Sequence, residues 1–308
     1  MAKAGKAKAV ETTRRRKLTR RQSNRVAKKQ ASDQSVPTSF HILPRVFRLL
    51  RSHWKVLGGI TLVYLALNIV LASGLSTVMN NFSSVKATLD GGHNFSDGLR
   101  GFSSLLGGSA GAGSSAAAIL QSLLIVLESL VIIWALRQLL AGKKFTVKEA
   151  YYKSMFPLVP FLLVLLVIII QLLPIVLGSA LVALISSTLA SSGLATFIMV
   201  LLVIPLFGWS VYMISSSIFG LYIVTLPDMQ PRQALRSAKK LVNFRRLKII
   251  RRIVFLPIFI FLVMAAIMLP LILFVHLLVV PVFYLLSISL LLFVHAYLYT
   301  LYRGLLDG

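Results

Sequence analysis

Apolar residues dominate six long runs, at about 56–78, 116–140, 156–184, 195–225, 253–274 and 279–302. Each exceeds the roughly 20 residues an α-helix needs to cross the hydrocarbon core of a bilayer. The pattern therefore predicts an all-α, polytopic integral membrane protein, six transmembrane helices arranged as three hairpins over 56–308. Little polarity separates the last two runs, and only Pro270, His276 and Pro281 mark the break.

Between the runs the periodicity becomes amphipathic. In 226–252, Pro231 can open a helix, because its missing N–H falls where helical amides lack partners. From there Ala234, Leu235, Ala238, Leu241 and Val242 share one side, while Arg232, Arg236, Lys239 and Lys240 share the other. Such a basic helix beside a span is expected in the headgroup layer, its apolar face in acyl chains and its bases on anionic lipid. The candidate contacts are Arg236, Lys239, Lys240, Arg245 and Arg246. Residues 39–55 form a second interfacial amphipathic segment, with Arg45, Arg48 and Arg51 among Val46, Phe47, Leu49 and Leu50, and Trp54 suited to the interface.

Composition agrees: 57% of the 308 residues are hydrophobic and 13% charged, too apolar for a soluble domain of this size. Thirty-three bases against eight acids give a net charge of +25. With six spans, every base except Lys86 and Arg100 falls on one side, which predicts cytoplasmic termini in the cell membrane. An odd number of spans would scatter the bases. Residues 1–38 carry the runs "RRRKLTRR" and "RVAKK" without apolar periodicity, so a disordered basic arm is expected. Its position before the first apolar run argues against a secretory leader. The arm is either a topogenic tail or a contact for ribosome, RNA or anionic lipid. Residues 80–115 are rich in Gly and Ser and are expected as a long loop. Cysteine is absent, which removes disulfides and thiolate chemistry.

An internal repeat runs through the basic segments. Aligning "FTVKEAYYKSM" with "MQPRQALRSAK" places Ala150 on Ala234 and Lys148 on Arg232. Each segment precedes a proline-containing run and its return, and 39–55 precedes the first hairpin in the same way. The expectation is three units, each a basic interfacial helix followed by a hairpin. "QALRSAKKLV", after Pro227 at the end of a run, resembles the "AL-x-x-S-x-x-L" signature of the membrane domain of bacterial glycerophosphoryl diester phosphodiesterases and related six-helix membrane proteins. Ala234, Leu235 and Leu241 match, and Ala238 replaces the serine, with Ser237 one place early. "KEAYYKS" keeps the serine spacing through Ala150 and Ser154. The family commonly has a Gly and an aromatic residue after the motif, where this chain has Asn243 and Phe244. The resemblance implies a membrane module and transfers no catalytic residue.

Catalytic material is scarce. The acids Glu11, Asp33, Asp90, Asp97, Glu128, Glu149, Asp228 and Asp307 are scattered, with no paired carboxylates, phosphate cradle or Ser-His-Asp grouping. His93 with Asp90 and Asp97 lacks metal-ligand spacing. No enzyme activity, metal or cofactor is therefore expected. Glu128 is the single acid within a run, where a charge costs about 2.5 kcal/mol or more. It is either a proton or cation site, with Gln121 or Asn68, or a hydrogen-bonded tie between helices. His295 could face it. Seven prolines in the runs could break helices as in transporter sites, and Ser215, Ser216 and Ser217 could bond a neighbouring helix. The leading expectation is a non-enzymatic protein that organises anionic lipid or a partner protein at the cytoplasmic face. A transporter using Glu128 and kinked helices, and a ribosome or RNA tether, are the alternatives.

Overall fold

The computed structural model describes residues 39–71, 115–188, 193–243 and 245–306. The basic arm, the Gly/Ser-rich loop with its Asp90, His93 and Asp97, residues 72–78 of the first run and the centre of the turn near residue 190 lie outside them. Among the described residues every regular element is a helix. They are α1 (Ser39–Ser52), α2 (Trp54–Leu71), α3 (Ser115–Leu140), α4 (Val147–Ser154), α5 (Leu158–Thr188), α6 (Gly193–Val224), α7 (Pro231–Val242), α8 (Arg246–Phe274) and α9 (His276–Leu306). Six of them, α2, α3, α5, α6, α8 and α9, are long and apolar enough to cross a membrane. The chain is a polytopic, multi-pass membrane protein.

Several boundaries differ from the hydropathy runs. Helix α8 starts at Arg246, seven residues before the apolar run, and Ile249 N–H bonds Arg245 O at 3.2 Å across the basic turn. The backbone has no reason to break there, since arginine and lysine are good helix formers. Helix α9 starts at His276, so Val275 alone separates the last two spans, and Pro281 lies inside the helix. Pro174, Pro205, Pro257 and Pro270 also lie within helices, so the expected breaks at these prolines do not occur. Each removes one hydrogen bond while the turns on either side keep theirs.

The spans pair as three hairpins, α2 with α3, α5 with α6 and α8 with α9. The second member of each pair is central: 50% of the most apolar stretch of α3 is buried, and 44% in α6 and α9. The first members, α2, α5 and α8, are each 22% buried. This alternation repeats three times along the chain, as three copies of one inner–outer unit would require. Helix α9 packs against both α3 and α6, and Arg137 joins α3 to α6. Where α6 meets α9 the core is aromatic: the Tyr222 ring lies 5.9 Å from that of Tyr299 and 6.0 Å from that of Tyr302, and Phe219 stacks on Tyr302.

The three short helices sit at one end of this bundle. Helix α4 packs on α3 and α2, α7 on α6 and α5, and α1 on α9. Helices α4 and α7 therefore each cover the hairpin that precedes them in chain order, while α1 also touches α2. In chain order each short helix precedes a hairpin, as the expected unit has it. All three pack through a buried i, i+4 pair: Ile42 and Val46 in α1, Ala150 and Ser154 in α4, Ala234 and Ala238 in α7, each 0% exposed. The aligned positions of α4 and α7 thus have the same packing role. Small residues there let helix backbones approach closely, and Gly59 and Gly220 contribute on the span side. A Cβ at Gly59 would meet Val147 Cγ2 at 2.9 Å; one at Gly220 would meet Leu235 Cδ2 at 3.1 Å.

Candidate functional site

Local chemistry fixes α7 where the periodicity placed it. Gln230 is the N-cap, Pro231 the first helical residue, and Ala234 N–H bonds Gln230 O at 2.9 Å. Asp228, in the connection from α6, has φ 58°, a left-handed conformation that Asp tolerates better than most side chains. Lys239 and Lys240 occupy the last turn, where cations favour the negative end of the helix dipole. Ala234, Ala238 and Val242 are fully buried in the protein core, so the apolar face of α7 rests on α5 and α6 rather than in acyl chains. Periodicity showed which side is apolar, but not what covers it.

The opposite face is open and basic: Arg232, Arg236, Lys239 and Lys240 are exposed. Two of the five expected lipid contacts lie off this face. Arg245, at the N-cap of α8, is buried with 9% exposure. The Arg246 guanidinium lies 4.4 Å from the centre of the Tyr212 ring, a cation–π distance. Of the five expected contacts, Arg236, Lys239 and Lys240 are the ones on the exposed face of α7.

Further bases lie around α4. Lys143, Lys144 and Lys148 are exposed just before and within α4. Thr146 caps that helix by accepting from Glu149 N–H at 3.3 Å, and Lys153 bonds Glu149 Oε1 at 2.5 Å. That hydrogen bond foremost holds the Glu149 carboxyl below its usual range. Arg137 Nη1 donates to Thr225 O at 2.7 Å, and its Nη2 donates to Thr225 Oγ1. A guanidinium thus caps the carbonyl end of α6. A cavity of about 670 Å³ opens beside it, lined by Arg137, Gln138, Lys153, Thr225, Asp228 and Gln230 among others. The ends of α3 and α6 and the starts of α5 and α7 meet there.

The buried carboxylate is a separate feature. Glu128, 2% exposed in α3, accepts a hydrogen bond from Tyr151 Oη of α4 at 2.7 Å. The same hydroxyl lies 3.2 Å from Ile60 O of α2. Burial first, and the neighbouring Glu128 second, push the Tyr151 phenol well above its usual range, which keeps it a donor. One side chain of the short helix thereby reaches both members of the hairpin beneath it. Nearby on α2, Asn68 accepts from Tyr284 Oη of α9 at 2.7 Å.

Neither Asn68 nor His295 is the hydrogen-bond partner of Glu128. His295 is buried and its Nδ1 lies 3.2 Å from Tyr222 Oη, while Gln121 is exposed. The side chain of His276 lies outside the described residues. Ser215, Ser216 and Ser217 donate to Tyr212 O and Met213 O of their own helix, rather than to a neighbour. Glu128 is absent from the lining of the three cavities described for this structure. Among the described residues no three His, Cys, Asp or Glu side chains converge as a metal site. Sequence reasoning missed Tyr151 and Arg137 as links between helices, since their partners are distant in the chain.

No family model, curated protein or solved structure matches this chain.

Proposed function

We propose that this protein is a non-enzymatic membrane module that gathers anionic phospholipid at the basic end of its bundle, the cytoplasmic end if the bases set the orientation. The observation that carries the reading is α7. Its apolar face is sealed by protein, so Arg232, Arg236, Lys239 and Lys240 are held outward on a fixed helix. A base near an anionic surface contributes about 1 kcal/mol, and a rigid helix loses little side-chain and backbone freedom on binding. The likeness of "QALRSAKKLV" to the membrane domain of glycerophosphoryl diester phosphodiesterases implies a membrane module and no particular ligand.

The test uses the full chain in neutral detergent, titrated with short-chain phosphatidylglycerol and phosphatidylcholine. Replacing Arg236, Lys239 and Lys240 with Gln should weaken phosphatidylglycerol binding by about a hundredfold at low salt, from about 3 kcal/mol. The loss should shrink as salt shortens the screening length. Equal affinity of the variant and the parent for phosphatidylglycerol would remove the proposal.

A further inference from the structure

Between the first and last hairpins an apolar groove of about 570 Å³ runs along α2, with α1 at its head and α8 and α9 opposite. Its floor is buried, Leu57 being 1% exposed and Ile288 7%. Its rim is open: Phe47, Trp54, Leu62 and Leu285 are each more than half exposed. Small side chains at Gly58, Thr61 and Ser289 keep it concave, and a Cβ at Gly58 would meet no atom within 4 Å. Near the head, the Phe293 ring lies 5.7 Å from that of Phe47 and 5.9 Å from that of Phe259. Beyond Leu65 and Leu285, the hydrogen bond from Tyr284 Oη to Asn68 Oδ1 joins α9 to α2 at 2.7 Å.

Length and volume select the occupant. At 1.5 Å per residue the groove extends about 16 Å from Trp54 to Leu65, and about 12 Å from Phe293 to Leu285. The hydrocarbon of one leaflet is about 15 Å deep, half of the bilayer core. A volume of about 570 Å³ lies in the range of roughly 300–1,000 Å³ that small ligands fill. A helix about 10 Å across would need about 1,200 Å³ over the same length, so an extended acyl chain fits where a partner's span does not. Polar groups in the groove agree. Thr61 Oγ1 donates to Leu57 O at 3.0 Å and Ser289 Oγ to Leu285 O at 2.8 Å, so both hydroxyls are satisfied without water. Leaving the groove empty would forfeit dispersion contacts along both walls.

Charge at the head selects the headgroup. Arg51 follows Phe47 by four residues and so shares its side of α1. It is exposed, as are Arg48 and Lys55, and residues 39–71 contain no acid. Trp54 suits the level where acyl chains meet headgroups. A chain that enters the groove beside Trp54 therefore brings its phosphate near these bases.

We propose that the groove holds one acyl chain of an anionic phospholipid from the leaflet at the basic end, with its phosphate beside Arg51. The assignment rests on α2, α8 and α9 lying in lipid. It shares no residue with the exposed face of α7, so either site can fail without the other.

The experiment reconstitutes the full chain in phosphatidylcholine vesicles containing trace phosphatidylglycerol with a diazirine midway along one acyl chain. Phosphatidylcholine with the same labelled chain is run in parallel. After irradiation, adducts are mapped by mass spectrometry, and those at Leu166 and Ile170, exposed on α5, measure bulk lipid. Relative to that measure, phosphatidylglycerol should label the groove around Thr61 and Ser289 about fivefold or more better than phosphatidylcholine does. Arg51→Gln should remove about fivefold of the preference. Gly58→Leu fills the groove from α2 and Ser289→Leu from α9; each should bring groove labelling down to the bulk level or below. Gln replacements at Arg236, Lys239 and Lys240 should leave groove labelling unchanged. Equal labelling by the two lipids would overturn the headgroup assignment. Groove labelling that persists in both Leu variants, with melting like the parent's, would overturn the site. An unlabelled groove in a chain that cross-links as a dimer would give the groove to a second copy and equally overturn the proposal.

Discussion

Removing the hydroxyl of Tyr151 tests whether Glu128 is a tie between helices. Tyr151 Oη bonds Glu128 Oε2 at 2.7 Å and approaches Ile60 O at 3.2 Å. Tyr151→Phe keeps the ring and leaves a carboxyl, 2% exposed, without that donor. A hydrogen bond to a charged acceptor contributes about 1.5–3 kcal/mol and one between neutral groups about 1 kcal/mol. The variant should therefore lose about 1–3 kcal/mol. Glu128→Gln keeps an oxygen acceptor in the same place and should lose less, about 1 kcal/mol or under. Glu128→Leu removes the acceptor, so Tyr151→Phe should add little to it. The assay is equilibrium unfolding of the full chain in mixed micelles, as a double-mutant cycle between Tyr151→Phe and Glu128→Leu. Coupling of about 1 kcal/mol or more is expected for groups that bond directly. Effects that add to within about 0.3–0.5 kcal/mol, the behaviour of independent sites, would refute the tie.

Other outcomes follow from the same geometry. Ala238 is 0% exposed on α7, so Ala238→Leu should cost about 1–3 kcal/mol by overpacking, while Ser237→Leu on the exposed side should change the melting temperature little. The chain contains no cysteine, so single cysteines report topology without background. With the bases cytoplasmic, a membrane-impermeant maleimide should label Val275→Cys in intact cells and Ser237→Cys only after permeabilisation; the reverse pattern would invert the orientation. If Glu128 were instead a transport site, Glu128→Gln would abolish a flux in reconstituted vesicles while leaving the fold intact. The tie predicts no such loss.

Much of this architecture could be read from the chain because lipid is an exacting solvent. A span must hide every backbone polar group within itself, so the six runs could hardly be anything but helices. Pro231 marked the start of α7, and 3.6-residue spacing separated Ala234, Ala238 and Val242 from Arg236, Lys239 and Lys240. Ala150 and Ala234, aligned in the sequence, are both fully buried under their hairpins. Hydropathy misplaced the start of α8 because it reports side-chain polarity, whereas the backbone continues helically from Arg246. Destinations were less accessible than faces. Nothing local says that α7 lies on protein rather than lipid, or that Arg245 is buried while Arg236 is not. Tyr151 finds Glu128 23 residues away and Ile60 91 residues away, and His295 finds Tyr222 instead of Glu128. Such pairings depend on how three hairpins close around α3, α6 and α9, which no window of sequence contains.

The most direct measurement is native mass spectrometry of the full chain, extracted gently from its own membrane, alongside the Arg236→Gln, Lys239→Gln, Lys240→Gln variant. The account predicts anionic phospholipid retained by the parent and depleted in the variant, with no change in either protein's oligomeric mass. Equal lipid retention by both, or a stoichiometric protein partner with no bound lipid, would contradict it.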